Sequence, residues 1–340
     1  MPKTKSKILV TGAGGYIGSV ATYLLLQQGY EVVGVDNFVR GFEGPLSFLS
    51  HKYSKDQFRY YAKDIRTEIN TVLESEPNIG AVIHYAAFCN VGESEKHPEL
   101  YFGQNVSTTL ALLEGLIKHK INRLLFSSSC SVYGEPKAEF IDENHPLDPT
   151  NHPYSESKFM CERMIDWYSQ LFGLKYIFLR YFNVCGATDD GAIGDSKKPS
   201  FHLMQNAVRG ALGIAPFALN NTAVDTPDQT PIRDYVNVVD LNQAHILALQ
   251  YLDSVKSHDV FNLGTGKGNS VLQIIKTVEE ITGVKIKKTV GERRHTDVSR
   301  AVSSNKKIQQ VLGWQPTHSL ADSVNSLVKW YQQHPQGWTK

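Results

Sequence analysis

The chain has 340 residues, with 35 Lys plus Arg against 34 Asp plus Glu and a formal net charge of +1. That balance supplies no field for a nucleic acid or an anionic membrane surface, so neither partner is expected, although a local basic cluster could still hold a phosphate. Hydrophobic residues at 41% and charged residues at 20% exclude extended disorder, and the length exceeds a usual single-core domain, so two lobes are expected. Cys89, Cys130, Cys161 and Cys185 are widely spaced with no Cys-x-x-Cys pair, and the histidines are scattered. Neither a disulfide framework nor a metal site is expected. Met1 to Lys7 is basic but leads into an apolar run too brief for a signal sequence, and no apolar stretch has spanning length. A soluble, cytoplasmic chain is expected.

In chain order, short apolar runs read as buried strands at Lys7 to Thr11, Glu31 to Asp36, Ala81 to Tyr85, Arg123 to Ser128 and Lys175 to Tyr181. Between them, Ile17 to Gln28 reads as a helix closed by Gly29, Glu99 to His119 as one long helix, and Ser155 to Phe172 as a helix closed by Gly173. Alternating strand and helix predict an α/β protein with a doubly wound parallel sheet. Beyond Asn183 the segments Gly186 to Ser200 and Asn220 to Gln229 are polar and turn-prone, and loops of this kind usually cover something. Tyr235 to Val239 reads as a strand leading into a helix at Leu241 to Leu252, and Val260 to Leu263 as a strand returning to the first sheet. Residues 1–182, whose first strand runs straight into a glycine-rich turn at Gly12 to Gly18, are expected to form, with a returning segment near 235–265, a dinucleotide-binding domain of Rossmann type. Residues 183–234 and 266–340 are expected to form a smaller, discontinuous substrate lobe, with Gln332 to Lys340 as a frayed end.

Gly12-Ala13-Gly14-Gly15-Tyr16-Ile17-Gly18 joins the first strand to the first helix. Gly12 permits the tight turn, Gly15 lets backbone approach a diphosphate, and Gly18 allows helix to pack on strand. Asp36 ends the second strand 18 residues after Gly18. A carboxylate there accepts both ribose hydroxyls of adenosine and repels a 2′-phosphate, which favours NAD over NADP, while the nearby Arg40 argues weakly the other way.

Tyr154 and Lys158 lie four apart in Pro153-Tyr154-Ser155-Glu156-Ser157-Lys158. On a helix both face one side, and an ammonium beside the phenol is expected to lower its pKa toward that of a useful general base. Ser127-Ser128-Ser129 closes a strand at the sheet's carboxyl edge, where ligands of open α/β sheets bind, although such a cluster also serves as an ordinary strand-end turn.

Together, the glycine loop, the strand-end serine and Tyr-x-x-x-Lys resemble the extended short-chain dehydrogenase/reductase family. Asp64-Ile65-Arg66, Val91-Gly92-Glu93-Ser94, Val132-Tyr133-Gly134, Leu179 to Asn183, Ile232 to Tyr235 and Asn262-Leu263-Gly264 narrow the resemblance to UDP-glucose (UDP-galactose) 4-epimerases, over nearly the whole chain. The resemblance implies reversible NAD-dependent 4-epimerisation of a UDP-hexose through a transient 4-keto sugar, in galactose and carbohydrate metabolism, with NAD tightly bound and regenerated in each cycle. It makes Ser129, Tyr154 and Lys158 the catalytic set. Around NAD it puts Gly12, Gly15, Tyr16, Ile17, Gly18, Asp36, Asn37, Asp64, Ile65, Ala86, Ala87, Asn105, Ser127, Tyr154, Lys158 and Tyr181. For the UDP-sugar it points to Ser129, Tyr154, Asn183, His202, Leu203, Arg233, Arg294, Asp297 and Ala301. It also implies a homodimer paired through two long helices, with Leu110, Leu113 and Ile117 facing either the partner or the sheet.

The chain departs from that pattern in several places. Cys89 stands where many members carry a lysine, Arg293-Arg294-His295-Thr296-Asp297 lacks the usual glycine, and Asn220-Asn221 replaces an aromatic followed by glycine. Ala301, at the position that gates the sugar pocket, is small enough to admit an N-acetyl group, so UDP-GalNAc and UDP-GlcNAc come into view beside UDP-galactose and UDP-glucose. A dehydratase would need a carboxylate where this chain has Ser129-Cys130-Ser131. A uronate or pentose 4-epimerase is the near alternative, and a non-catalytic NAD sensor the distant one, since such a sensor would not need Tyr154 and Lys158. Without the resemblance, Arg233-Asp234 reads equally as a surface ion pair and His202 as an ordinary packed histidine.

Overall fold

Apolar strand residues alternate between two buried faces from the first strand on, as they must in a sheet covered by helices on both sides. In the computed structural model, which describes residues 6–198, 200–220, 224–291 and 298–339, β1 (Lys7–Thr11) sends Ile8 and Val10 into one core and Leu9 into the other. The chain continues through α1 (Tyr16–Gln27), β2 (Val32–Asp36), α2 (Gly44–Lys52), β3 (Phe58–Ala62), α3 (Ile65–Ser75), β4 (Ile79–His84), α4 (Val91–Lys96), α5 (Pro98–Tyr101), α6 (Ser107–Lys118), β5 (Arg123–Ser129), α7 (Pro153–Phe172) and β6 (Lys175–Tyr181). Then come β7 (Asn183–Cys185), α8 (Leu203–Ala211), β8 (Phe217–Asn220), β9 (Ile232–Asn237), α9 (Val238–Tyr251), β10 (His258–Leu263), β11 (Gly268–Ser270), α10 (Val271–Thr282), β12 (Lys288–Gly291), β13 (Arg300–Ala301), α11 (Lys306–Leu312) and α12 (Leu320–Gln333).

Seven strands form one parallel sheet in the order β10-β6-β5-β4-β1-β2-β3. This is the doubly wound α/β arrangement, with α1, α2 and α9 on one face and α3, α6 and α7 on the other. The late segment 258–263 does return to this sheet, pairing with β6 as an edge strand. A second core gathers around α8, α10 and α12, including Met204, Ile274, Leu327 and Trp330, beside the small sheet β11-β9-β13, with β7 also paired to β9. Among the described residues no helix is long and apolar enough to cross a membrane.

Two sequence expectations, the unbroken helix and the frayed end, are corrected; one strand carries no sequence signal, and one open alternative is decided. The edge strand β3, Phe-Arg-Tyr-Tyr-Ala, has no apolar run because only Phe58 is fully buried. The helix expected to run unbroken from Glu99 to His119 contains a wide turn at Phe102–Val106 between α5 and α6. An inserted residue of this kind re-aims a side chain. Here it buries Asn105, whose side-chain amide accepts from the Phe88 N–H (2.7 Å) and donates to the Phe88 carbonyl (3.0 Å) and the Ser157 hydroxyl (3.0 Å). Leu113 packs wholly into the core on the sheet side of α6, leaving Leu110 exposed. The terminus is no frayed end: the Trp338 ring packs on Trp330, His334 and Phe48, and the Trp338 backbone N–H donates to the Ser196 hydroxyl at 3.0 Å.

Candidate active site

At the carboxyl edge of the sheet the glycine turn after β1 opens α1. Gly12 has φ +69°, and a Cβ there would lie 2.7 Å from the Ala86 nitrogen; one on Gly18 would lie 2.2 Å from the Gly12 carbonyl. Both positions therefore exclude a side chain. Gly15 caps α1 without a side-chain hydrogen bond, and its added Cβ would meet only the Gly12 carbonyl, at 3.1 Å. A bare, unsatisfied helix N-terminus facing a cleft fits a dinucleotide's diphosphate. Asp36, ending β2, accepts from the Gly14 N–H (2.9 Å) and the Phe38 N–H (2.8 Å); burial pushes its carboxyl up while those donors pull it down. Arg40 is turned to Glu93 at 2.6 Å and lies over the Phe88 ring, so its charge is engaged across the cleft. Asn37 donates to Asp64 (3.3 Å), which caps α3 just before Ile65.

Opposite the glycine turn, the Ser129 hydroxyl accepts from the backbone and hydroxyl of Ser131 at 3.2 and 2.9 Å. His152 caps α7 through its Nδ1, with Pro153 in the first turn, and this starts the helix at the point that sets Tyr154 and Lys158 one turn apart. The Tyr154 ring lies parallel to His152 (5.9 Å) and edge-on to Tyr101 (6.2 Å). The expected pKa relation fails. Burial pushes the Tyr154 phenol above its ordinary value, with the Ser129 hydrogen bond opposing, while burial also lowers Lys158. The Lys158 ammonium donates to the Ser127 carbonyl at 2.7 Å, so its charge is directed at the strand end. Desolvation of both groups, invisible in their spacing, decides the direction. Tyr181 meets His245 at 2.7 Å behind the same wall.

Behind the serines lies a buried network: Arg180 forks onto Glu162 at 2.7 and 3.0 Å and donates to the Tyr133 hydroxyl at 3.0 Å. Glu162 also accepts from Ser128, and Tyr133 donates to Asn262 at 2.7 Å. The network ties β5, β6, α7 and β10 together immediately below Ser129.

The second lobe closes the cleft. Asn183, His202, Arg233 and Ala301 line it, and Ala301 pairs directly with Arg233 across β13 and β9. Burial lowers His202 to about 4, so its imidazole is neutral, and the ring packs on Tyr16, whose hydroxyl donates to the Gly186 carbonyl. Arg233 is not half of an ion pair with Asp234. That carboxylate is fully buried and accepts from Thr265, Gly266 and Ser303. Leu203 packs instead against the second core and does not line the cleft. Arg294 and Asp297, with the neighbouring departures at Arg293, His295 and Thr296, lie outside the described residues, as does Asn221. Phe88, Asn90 and Lys197 line the cleft without having been expected; only the loop-like texture of 186–200 pointed toward the last. Among the described residues no cluster of His, Cys, Asp or Glu could hold a metal ion.

These walls enclose a cleft of about 830 Å³ lined by Gly12, Gly15, Asp36, Ser129, Tyr154 and Arg233 among others. Residues 8–264 match the sequence profile of the NAD dependent epimerase/dehydratase family. The chain belongs to this family. It is 40% identical over 337 residues to a UDP-glucose 4-epimerase of Lactobacillus helveticus, covering 98% of this chain and 99% of that relative. A UDP-glucose 4-epimerase of Bifidobacterium longum, solved with NAD+ and UDP, superposes with a TM-score of 0.92 at 33% identity, covering 98% of this chain and all of the other. A UDP-glucose 4-epimerase of Stenotrophomonas maltophila, solved with NAD and formylated UDP-arabinopyranose, superposes with a TM-score of 0.90 at 33% identity, over 97% and 99% of the two chains. Within the epimerase/dehydratase family, the glycine turn and Asp36 of this chain are the features that fit the NAD of the family's name.

Proposed function

We propose that this chain interconverts the 4-epimers of a UDP-hexose, UDP-galactose and UDP-glucose, with no net oxidation. The observation that carries the reading is the Ser129–Tyr154 pair on one wall of a cleft whose other wall is the bare N-terminus of α1. NAD held by the glycine turn and Asp36, in the domain of residues 1–182 with its returning segment, supplies the hydride acceptor and is regenerated in each cycle. Tyr154 carries a proton between its phenol oxygen and the sugar's 4-oxygen in both half-reactions, and Ser129 hydrogen-bonds that oxygen. Lys158 keeps the strand end and the phenol in register through the Ser127 carbonyl.

The UDP-sugar is assigned to the lobe of residues 183–234 and 266–340. Arg233 suits a diphosphate because a guanidinium forks onto phosphate oxygens and stays charged, and Arg294 and Asp297 join it on the family pattern. Neutral His202 and Asn183 offer hydrogen bonds, and the small Ala301 beside Arg233 leaves room for an N-acetyl group. The Stenotrophomonas complex supports a second reading, in which the sugar is a pentose. Parallel chromatography of reactions with UDP-galactose, UDP-N-acetylgalactosamine, UDP-galacturonate and UDP-arabinose tests both, and conversion of UDP-arabinose alone would overturn the first.

Two further assignments complete the proposal. Exposed Leu110 on α6 and Met160, Trp167, Leu171 and Phe172 on α7 form an apolar face that supports a homodimer. The four cysteines are free thiols, which supports a cytoplasmic location.

A further inference from the structure

We infer that Lys197, reaching back from the second lobe, is a binding residue for the dinucleotide's diphosphate and sets how tightly the cofactor is retained; this rests on the proposed NAD reading. The first turn of α1 carries no acidic residue and no side-chain cap, so its N–H donors await an external anion. Two cations flank that turn. Arg40 is engaged with Glu93 at 2.6 Å. Lys197 lines the main cleft and also a small void of about 10 Å³ shared with Gly14, Gly15 and Tyr16. Its Nζ lies 3.9 Å from the Cys89 Sγ, on the loop that follows β4, and 5.4 Å from the Phe201 ring. Burial would lower this lysine, but Cys89 and Asp195 hold it above its ordinary value, so it is charged at neutral pH.

This lysine is fixed by the rest of its lobe. Its N–H donates to Asp195 (3.2 Å), and its carbonyl accepts from Arg209 (3.2 Å). The Asp195 carbonyl in turn accepts from Trp330 and Tyr331 of α12, each at 3.1 Å. The neighbouring Ser196 hydroxyl accepts from the Trp338 backbone N–H, and a Cβ added to Gly44 of α2 would fall 2.7 Å from the Trp338 ring. The C-terminal hook thus presses the lysine loop onto the dinucleotide domain, so the backbone that carries the lysine is placed before binding.

The test is retention of NAD by purified holoprotein, read by chromatography of released cofactor after dilution at several salt concentrations. Lys197→Ala should release NAD roughly 10- to 100-fold faster than the parent and with a shallower salt dependence, as loss of a charge-assisted phosphate contact requires. Lys197→Arg should stay close to the parent. Because Cys89 lies beside the ammonium, Cys89→Lys in the Lys197→Ala background should restore retention. Parental retention by Lys197→Ala would overturn the inference, and so would a loss that Cys89→Lys does not repair, since the lysine would then serve only the loop's fold. A parent protein that binds no NAD at all would remove the cofactor reading itself, and the inference with it.

Discussion

His318 should make the chain's stability fall in mild alkali. It lies just before α12 and bridges two carboxylates, with Nδ1 2.8 Å from Asp240 and Nε2 2.9 Å from Asp189. Asp240 is fully buried at the start of α9; burial alone would raise its carboxyl, but His318 and Thr317 hold it below the usual range. Its hydrogen bond to His318, with the charges of both carboxylates, lifts the imidazole from 6.5 to about 9. That gap corresponds to about 3 kcal/mol, reduced to about 2 kcal/mol because Asp189 is exposed and its share is screened by solvent. The folded state binds the proton more tightly than the unfolded chain. The contribution is therefore complete below pH 6.5 and disappears as pH rises through about 9. Urea unfolding of the parent and His318→Asn across this window measures it. The parent should be more stable by about 2 kcal/mol near pH 6, with the advantage closing by about pH 9.5. A difference that stays constant with pH would refute the reasoning, because it would show that no proton is taken up at this site.

Three other changes test separate parts of the structure. Glu162→Ala strips the buried Arg180 of its partner and should lower unfolding free energy by about 3–5 kcal/mol, read as a fall in melting temperature; a change under about 1 kcal/mol would remove the network from the fold's support. Ala301→Tyr should suppress conversion of UDP-N-acetylgalactosamine while largely sparing UDP-galactose, and equal loss of both would sink the gating role of this position. Trp167→Glu should convert a dimer to a monomer in light scattering, whereas an unchanged mass would exclude the α7 face as the interface.

The parts of the fold that were legible are those written in adjacent residues. The glycine turn, β1 and β2 are fixed by φ requirements and short apolar runs, and Gly173 ends α7 in the left-handed conformation its position suggested. Features that depend on distant neighbours were not legible. Nothing in Phe102–Val106 announces that Asn105 will be drawn down to the Phe88 backbone, and the polar tail hides the fact that Trp338 has rings waiting for it. The spacing of Tyr154 and Lys158 is legible, and their placement on one face of α7 follows from it. Their electrostatics are not, because the desolvation that governs both phenol and ammonium comes from strands and loops elsewhere in the chain. Lys197 is not legible either, because what brings it to the cleft is its approach to Cys89, 108 positions away.

In the proposed redox-neutral epimerisation Tyr154 handles the proton. The most direct test of that role is incubation of purified protein and of Tyr154→Phe with UDP-galactose and no added cofactor, with sugar nucleotides and protein-bound NAD separated by chromatography. The parent should yield UDP-glucose to equilibrium without releasing NADH, and Tyr154→Phe should hold the same NAD yet form no product. Substantial turnover by Tyr154→Phe, or net NADH released by the parent, would contradict the account.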